Sequence, residues 1–289
     1  MCIRDRRDTG VKLALVGRSD PSADAALAAN LERMRVAGAQ VRYIVADVTD
    51  SAAVAAAFHE IEGSLGPVTA ILHGAGNNDP CLLAGLDEPA FQATLAPKLQ
   101  GLRNLLKAAD PERLRLLIAF GSVIARTGLE GEADYAVANE WLARSVDQWR
   151  TDHPHCRCLT IDWSVWSGLG MGQRLGRVEE LERRGITPIT PEEGVRIFRA
   201  LVSRDSHASS IVVTGRYGDP PTLRREHPEL PFARFLELPR VCYPGVELIA
   251  DAELSSQSDP YLRDHVFQGA PLPVSYTHLG SPRGSRERN

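Results

Sequence analysis

Tyr135 and Asn139 stand four residues apart in ADYAVANEWLARSVDQW, residues 133–149. In a helix that spacing sets them one above the other on a single face. Ala138, Leu142, Val146 and Trp149 recur at helical spacing, so the stretch reads as a helix with one buried stripe. Just upstream, the apolar run LRLLIAFGSV (114–123) has strand length and ends in Gly121-Ser122. A buried strand stopping at a serine, then a helix bearing a tyrosine, brings two hydroxyls to one cleft at the strand's carboxyl end. There Tyr135 could give a proton to a ketone oxygen as hydride reaches the carbon, with Ser122 hydrogen-bonded to the same oxygen. Singly, the tyrosine reads as a half-buried aromatic and the serine as a cap. Their joint spacing points to a reductase site. A phenol of pKa about 10 is a poor catalyst unless a nearby positive charge lowers it.

Lys98 lies in the middle of the apolar stripe Phe91, Leu95, Leu102 and Leu106. A lysine there must either snorkel to the surface or meet a polar partner. Arg18 and Ser19 follow the first apolar run, VKLALVG. Arginine at that strand end suits a 2′-phosphate, where an acidic residue would suit a 2′-hydroxyl, so NADPH is expected over NADH. A surface arginine is the plain alternative. Asp47 ends the second strand and would contact adenine, with Val48 packed on it, although a turn cap is nearly as good a reading. Gly74-Ala75-Gly76 directly follows a buried strand, where backbone could approach a ribose and nicotinamide closely. Trp163 and Trp166 suit either a cleft wall or the core. Residues 168–185 are polar and glycine-punctuated and would serve as a substrate lid.

These residues need a scaffold. Strands are expected at 11–17, 41–46, 68–73, 114–120, 158–163 and 210–214. Helices are expected at 23–37, 52–61, 88–108 with Asp87 as N-cap, around Tyr135, and at 191–203. Strands alternating with helices of ten or more residues predict an α/β, Rossmann-like, doubly wound parallel sheet with helices on both faces. Prolines 220, 221, 228, 231, 239 and 244 then argue against regular helix, and 216–240 reads as a linker. A strand-like alternation follows at 243–255. The polar end GSPRGSRERN reads as disordered, with the tail taken from 274.

The 289 residues are 43% hydrophobic and 24% charged, ordinary for a soluble globular protein, and the net charge of −4 argues against nucleic acid or an anionic membrane as partner. No apolar run reaches membrane-spanning length. The start, MCIRDRRD, is charged with no apolar core behind it, which reads as no signal peptide. Cys2, Cys81, Cys156, Cys158 and Cys242 form no CxxC and have no histidine cluster beside them, so no metal is expected and a reducing cytoplasm is.

Together LVGRS, ADVTD, ILHGAG, LAPKLQG, AFGSV, DYAVAN and IDWSVW resemble, in order and spacing, the ketoreductase domains of polyketide synthases. Those domains are members of the short-chain dehydrogenase/reductase superfamily, and the resemblance covers roughly residues 10–215. It implies reduction of a β-ketoacyl thioester, carried on the phosphopantetheine arm of an acyl carrier protein, to a β-hydroxyacyl thioester. Neighbouring synthase domains would share the parent chain. Most short-chain reductases place a lysine four after the tyrosine. These ketoreductases exchange it for asparagine and take the lysine from the preceding helix, as Asn139 and Lys98 do here. Lys98 would then bind nicotinamide ribose and lower the Tyr135 pKa. Asn78-Asp79-Pro80 falls where one stereochemical class carries Leu-Asp-Asp, and only Asp79 remains of it. The tryptophan of the opposite class would fall at Thr127, so the product configuration stays open.

DPYLRDHVFQG (259–269) resembles the opening of a synthase dehydratase domain, whose general base would be His265. Pro273 comes four after Gly269 where that family spaces it five, and the partner carboxylate is lacking. A start of that domain is placed at 241–273. The domain order and GEADYAVANEW look closest to enediyne-type iterative synthases. The ends MCIRDR and VSYTHL resemble adapter read-through, so 1–9 are expected to lie outside the fold. No GxGxxG occurs and the strand-loop-helix opening of a dinucleotide fold is missing, which suggests a chain cut inside the domain. The rivals are an inactive or structural piece of the synthase and a stand-alone short-chain reductase.

Overall fold

In the computed structural model, aspartates begin three helices by taking up their free backbone N–H groups. Asp24 starts α1 (Ala25–Val36), accepting from Leu27 N at 2.9 Å. Asp50 starts α2 (Ser51–Leu65), accepting from Ala52 N at 2.8 Å and Ala53 N at 3.1 Å. Asp87 starts α3 (Glu88–Ala108), accepting from Ala90 N at 2.9 Å. Further on come the short α4 (Ile124–Thr127), α5 (Ala133–Asp152), α6 (Gly170–Arg174), α7 (Val178–Arg183) and α8 (Pro191–Ser203). A reciprocal Thr190–Glu193 capping box sets the start of α8. The structure describes residues 11–168 without a break, then 170–176, 178–183, 185–204 and 208–216, and only short stretches between 222 and 271.

Between the helices run β1 (Leu13–Gly17), β2 (Val41–Val45), β3 (Ala70–His73), β4 (Leu116–Ser122), β5 (Arg157–Trp163) and β6 (Ser210–Val213). All pairings among them are parallel, in two pieces: β1–β2, and β3–β4–β5–β6. Among the described residues no strand bridges β1 and β3.

The pleat divides the core. Leu117 and Ala119 of β4 face Leu102 and Leu105 of α3 and Leu142 and Val146 of α5. Ile118, between them, faces the other way, with Ile161, Trp163 and Phe198 of α8. Strands apolar on both faces with helices on both sides are the α/β arrangement the alternation predicts. The stretch 168–185, read as a substrate lid, carries the short helices α6 and α7. Glu179 and Glu180 in the first turn of α7 and Arg183 in its last suit the helix dipole.

His73 ends β3 inside this core, 2% exposed. Burial pushes its pKa down to about 4. Its folded value lies below the ordinary one near 6.5, so the native state binds fewer protons and is destabilised as pH falls from about 6.5 to about 4. We expect acid to cost up to about 3 kcal/mol through this residue. His73→Gln should flatten the pH dependence of urea midpoints in that window.

The chain divides into two units, Met1–Arg224 and Arg225–Asn289. In the second, β7 (Leu238–Tyr243) and β8 (Glu247–Asp251) form an antiparallel hairpin with an irregular register between Pro239 and Val241. β7 therefore begins inside the stretch expected as linker, with a proline at its irregular end. Val266–Phe267 and Ala270–Pro271 pair antiparallel as β9 and β10. His265, residues 1–9 and 274–289 lie outside the described residues.

Candidate active site

The long helix α3 is pressed against the carboxyl ends of β2 and β3. A Cβ on Gly101 would come within 2.8 Å of Val48 Cγ2 and 3.2 Å of His73 Cε1, so only glycine permits this approach. Two hydrogen bonds fix the contact. Asn104 Nδ2 donates to the Val48 carbonyl at 2.9 Å, and His73 Nε2, assigned as protonated, donates to the Lys98 carbonyl at 3.0 Å.

That contact aims Lys98 inward. Its side chain passes Gly76, where a Cβ would lie 3.4 Å from Lys98 Cε. Its Nζ donates to the Phe120 carbonyl at 3.0 Å and sits 5.6 Å from the centre of the Tyr135 ring. Lys98 is 2% exposed, so it meets a polar partner and does not snorkel. Burial lowers its pKa to about 8, against the raising influence of Asp162.

Tyr135 and Asn139 share the buried face of α5, as their spacing requires. Asn139 is fully buried, its Nδ2 donating to the Tyr135 carbonyl at 2.7 Å while its Oδ1 has no protein partner. Ser122 ends β4, its Oγ accepting from Ile124 N at 3.3 Å. Burial raises the Tyr135 phenol to about 12; Asn139 and Ser122 act to lower it, and the Glu132 charge raises it. The lowering expected from Lys98 is not seen, and burial sets the direction. The phenol stays protonated across the neutral range, the form a proton donor needs. Tyr135, Ser122, Lys98 and Asn139 thus converge on one strand end, from α5, β4 and α3.

The expected cofactor residues lie along the same edge. Arg18, exposed after β1, sits 4.0 Å from Asp47 after β2. Asp47 accepts from Thr49 N at 2.8 Å and Thr49 Oγ1 at 2.7 Å, bonds that hold its carboxyl below the usual range, helped by Arg18. The Ser19 carbonyl accepts from the Tyr43 hydroxyl at 2.8 Å. Gly74 and Ala75 lead from β3 to Gly76, where Met171 Cε of α6 would lie 3.9 Å from a Cβ.

Two expectations about the substrate side fare differently. Asp79 is exposed, on a loop tied to α5 by Asn78 Nδ2 donating to Glu132 at 2.9 Å and Cys81 N to the Gly131 carbonyl at 2.8 Å. Trp163 packs into the core, the second of the two places its sequence suited. It is 6% exposed and packs edge-on against Phe120 and Trp166, because its register position turns it to the α8 side of the sheet. Among the described residues no group of His, Cys, Asp and Glu could hold a metal.

Sequence reading missed His73, Glu132 and a cluster beside the site. Arg126 of α4 donates to Asp162 Oδ2 through Nε at 3.1 Å, pairs with Glu140, and donates to Ser210 Oγ at 2.9 Å. The signal for Asp162 was present: a carboxylate inside the apolar strand CLTIDW must find a partner.

The KR domain family model matches residues 7–168, more than half of the chain. The chain is 32% identical over 176 residues to a 6-methylsalicylic acid synthase of Aspergillus niger, covering 60% of this chain and 10% of that protein. It is 32% identical over 193 residues to polyketide synthase PksN of Bacillus subtilis, covering 64% and 3%. It therefore spans a tenth or less of these relatives. Among solved structures it matches the N-terminal ketoreductase from the macrolactin assembly line with a TM-score of 0.61 and 28% identity, covering 73% of this chain and 40% of that one. With an all-parallel sheet and a Ser–Tyr–Lys–Asn cluster at its carboxyl edge, the chain belongs to the KR domain family, the short-chain-dehydrogenase-type ketoreductases of polyketide synthases.

Proposed function

We propose that this site reduces the β-ketone of an acyl thioester to a β-hydroxyl with NADPH, the thioester being carried by the phosphopantetheine of an acyl carrier protein. The observation that carries this reading is the Lys98 ammonium 5.6 Å from the Tyr135 ring, with Ser122 and Asn139 at the same strand end. The residues present fit the cofactor. Arg18 is an exposed cation for a 2′-phosphate, Asp47 neighbours it for the adenine, and Gly74–Gly76 offers backbone to a ribose. Lys98 and the unpartnered Asn139 Oδ1 would meet the nicotinamide ribose side. When bound, NADPH supplies the hydride that reaches the ketone carbon. Tyr135 gives its phenolic proton to the ketone oxygen, Ser122 holds that oxygen by its hydroxyl, and Lys98 stabilises the phenolate left behind. A recess lined by Pro80, Cys81, Leu82, Glu130 and Leu181 follows directly on the exposed Asp79 and would suit an acyl-pantetheine arm.

A second reading, a structural module without turnover, draws on the separation of β1–β2 from β3–β6. Fluorescence titration with NADPH separates the two: saturable binding weakened in a Lys98→Ala/Tyr135→Phe variant supports the reductase, and no binding by the parent chain supports the module. The cofactor preference has its own test. Arg18→Ala should weaken NADPH binding about tenfold, the loss of one charge-assisted contact, and leave NADH binding unchanged.

A further inference from the structure

Asp162 belongs to β5, next to the strand end that carries the site. In the parallel register it stands opposite Gly121, between Phe120, whose carbonyl holds Lys98, and Ser122. Its two carboxylate oxygens are used differently. Oδ2 is anchored by Arg126 Nε at 3.1 Å and by Ser210 Oγ at 3.3 Å. Oδ1 is buried without a hydrogen-bond partner and lies over the Gly121 backbone, where a Cβ would come within 2.0 Å of it. Gly121 is therefore the residue that lets this oxygen approach β4 at all.

We propose that Asp162 is a positioning residue for the reduction. Clamped by Arg126 and Ser210 through one oxygen, it turns the other to the Phe120–Gly121–Ser122 strand end and holds the Lys98 ammonium charged and in place.

The charges around it are consistent with that role. Burial raises the Asp162 carboxyl above its ordinary value, and Arg126 of α4, paired with it, and Ser210 act against that rise. Glu140 of α5 pairs with Arg126 and adds a raising influence on Asp162. Lys98 of α3 is the other cation acting with Asp162. His73 of β3, bonded to the Lys98 carbonyl, is neutral at pH 7 and contributes no charge there. Tyr135 of α5, beneath the ammonium, is likewise neutral. Glu132, buried just before α5, acts on Tyr135, and Asp162 is the anion whose charge acts on Lys98.

The inference rests on the reading that Lys98 serves the reduction, but its test does not need turnover. The chain has three lysines: Lys12 and Lys107, both exposed, and buried Lys98. Lysine labelled with 13C at Cε gives three signals whose pH midpoints are read by NMR on the full chain. The Lys98 midpoint should lie well below the other two. In Asp162→Asn it should fall further, by about one pH unit or more, the effect of removing an opposite charge at close range. Lys12 and Lys107 should be unmoved and the far-UV spectrum native. Asp162→Ser, which leaves room for water, is the second neutral variant should the first not fold. In the active protein the alkaline limb of kcat/KM should move down by the same amount. A Lys98 midpoint unchanged in a folded neutral variant would overturn the proposal. A shifted midpoint in a chain that turns over no thioester would refute the reductase reading and leave the Asp162–Lys98 coupling standing.

Discussion

Tyr135→Phe lowers reduction of a β-keto thioester by about 10²- to 10⁴-fold, the span expected when a general acid is removed, and leaves NADPH affinity unchanged. The substitution deletes one hydroxyl from a residue that is 6% exposed, so the ring still fills its place on α5. What disappears is the proton. Ser122 cannot replace it, since the serine hydroxyl is a much weaker acid and its Oγ also accepts from Ile124 N. Steady-state rates with a β-ketoacyl thioester check the first half, and NADPH titration the second. Loss of turnover together with loss of binding would assign Tyr135 a structural role.

Lys98→Met should act in opposite directions on stability and on rate. A lysine whose pKa is depressed to about 8 binds its proton less readily folded than unfolded. That penalty is full below about pH 8 and relieved as pH rises towards 10.5, so the parent chain gains stability over that window through this residue. Methionine removes the charge, keeps the volume, and forfeits one hydrogen bond to the Phe120 carbonyl. The net gain at pH 7 is about 2 kcal/mol. Activity should fall about a hundredfold or more, because the charge that stabilises the Tyr135 phenolate has gone. The parent rate should decline as pH rises through about 8, and the variant should lose that decline. Urea unfolding and pH–rate profiles read the two effects separately. A less stable and equally active variant would contradict the account.

The alternation of strands and helices was legible because it depends on local pattern. Asp87 before an apolar stripe is enough to place the start of α3 at Glu88. Lys98 was legible for the same reason, a charge where the stripe demands an apolar residue. Trp163 was not, since a parallel strand covered on both faces is apolar at every position and hides which way each residue turns. The helices at 170–174 and 178–183 were hidden by glycines, which mark their ends. The Arg126–Asp162–Ser210 cluster joins three elements distant in sequence, and only the register of β4, β5 and β6 brings them together. The family resemblance supplied the roles of Lys98 and Asn139, which spacing alone left open.

The central claim is that this strand end reduces a β-ketone. The most direct measurement is product formation after mixing the chain with NADPH and a β-ketoacyl thioester, followed by loss of NADPH absorbance and mass analysis of the acyl group. The account predicts one β-hydroxyacyl thioester per NADPH consumed in the parent chain, and only trace product from Tyr135→Phe. Saturable NADPH binding with no β-hydroxyacyl product, or equal product from the variant, would contradict it.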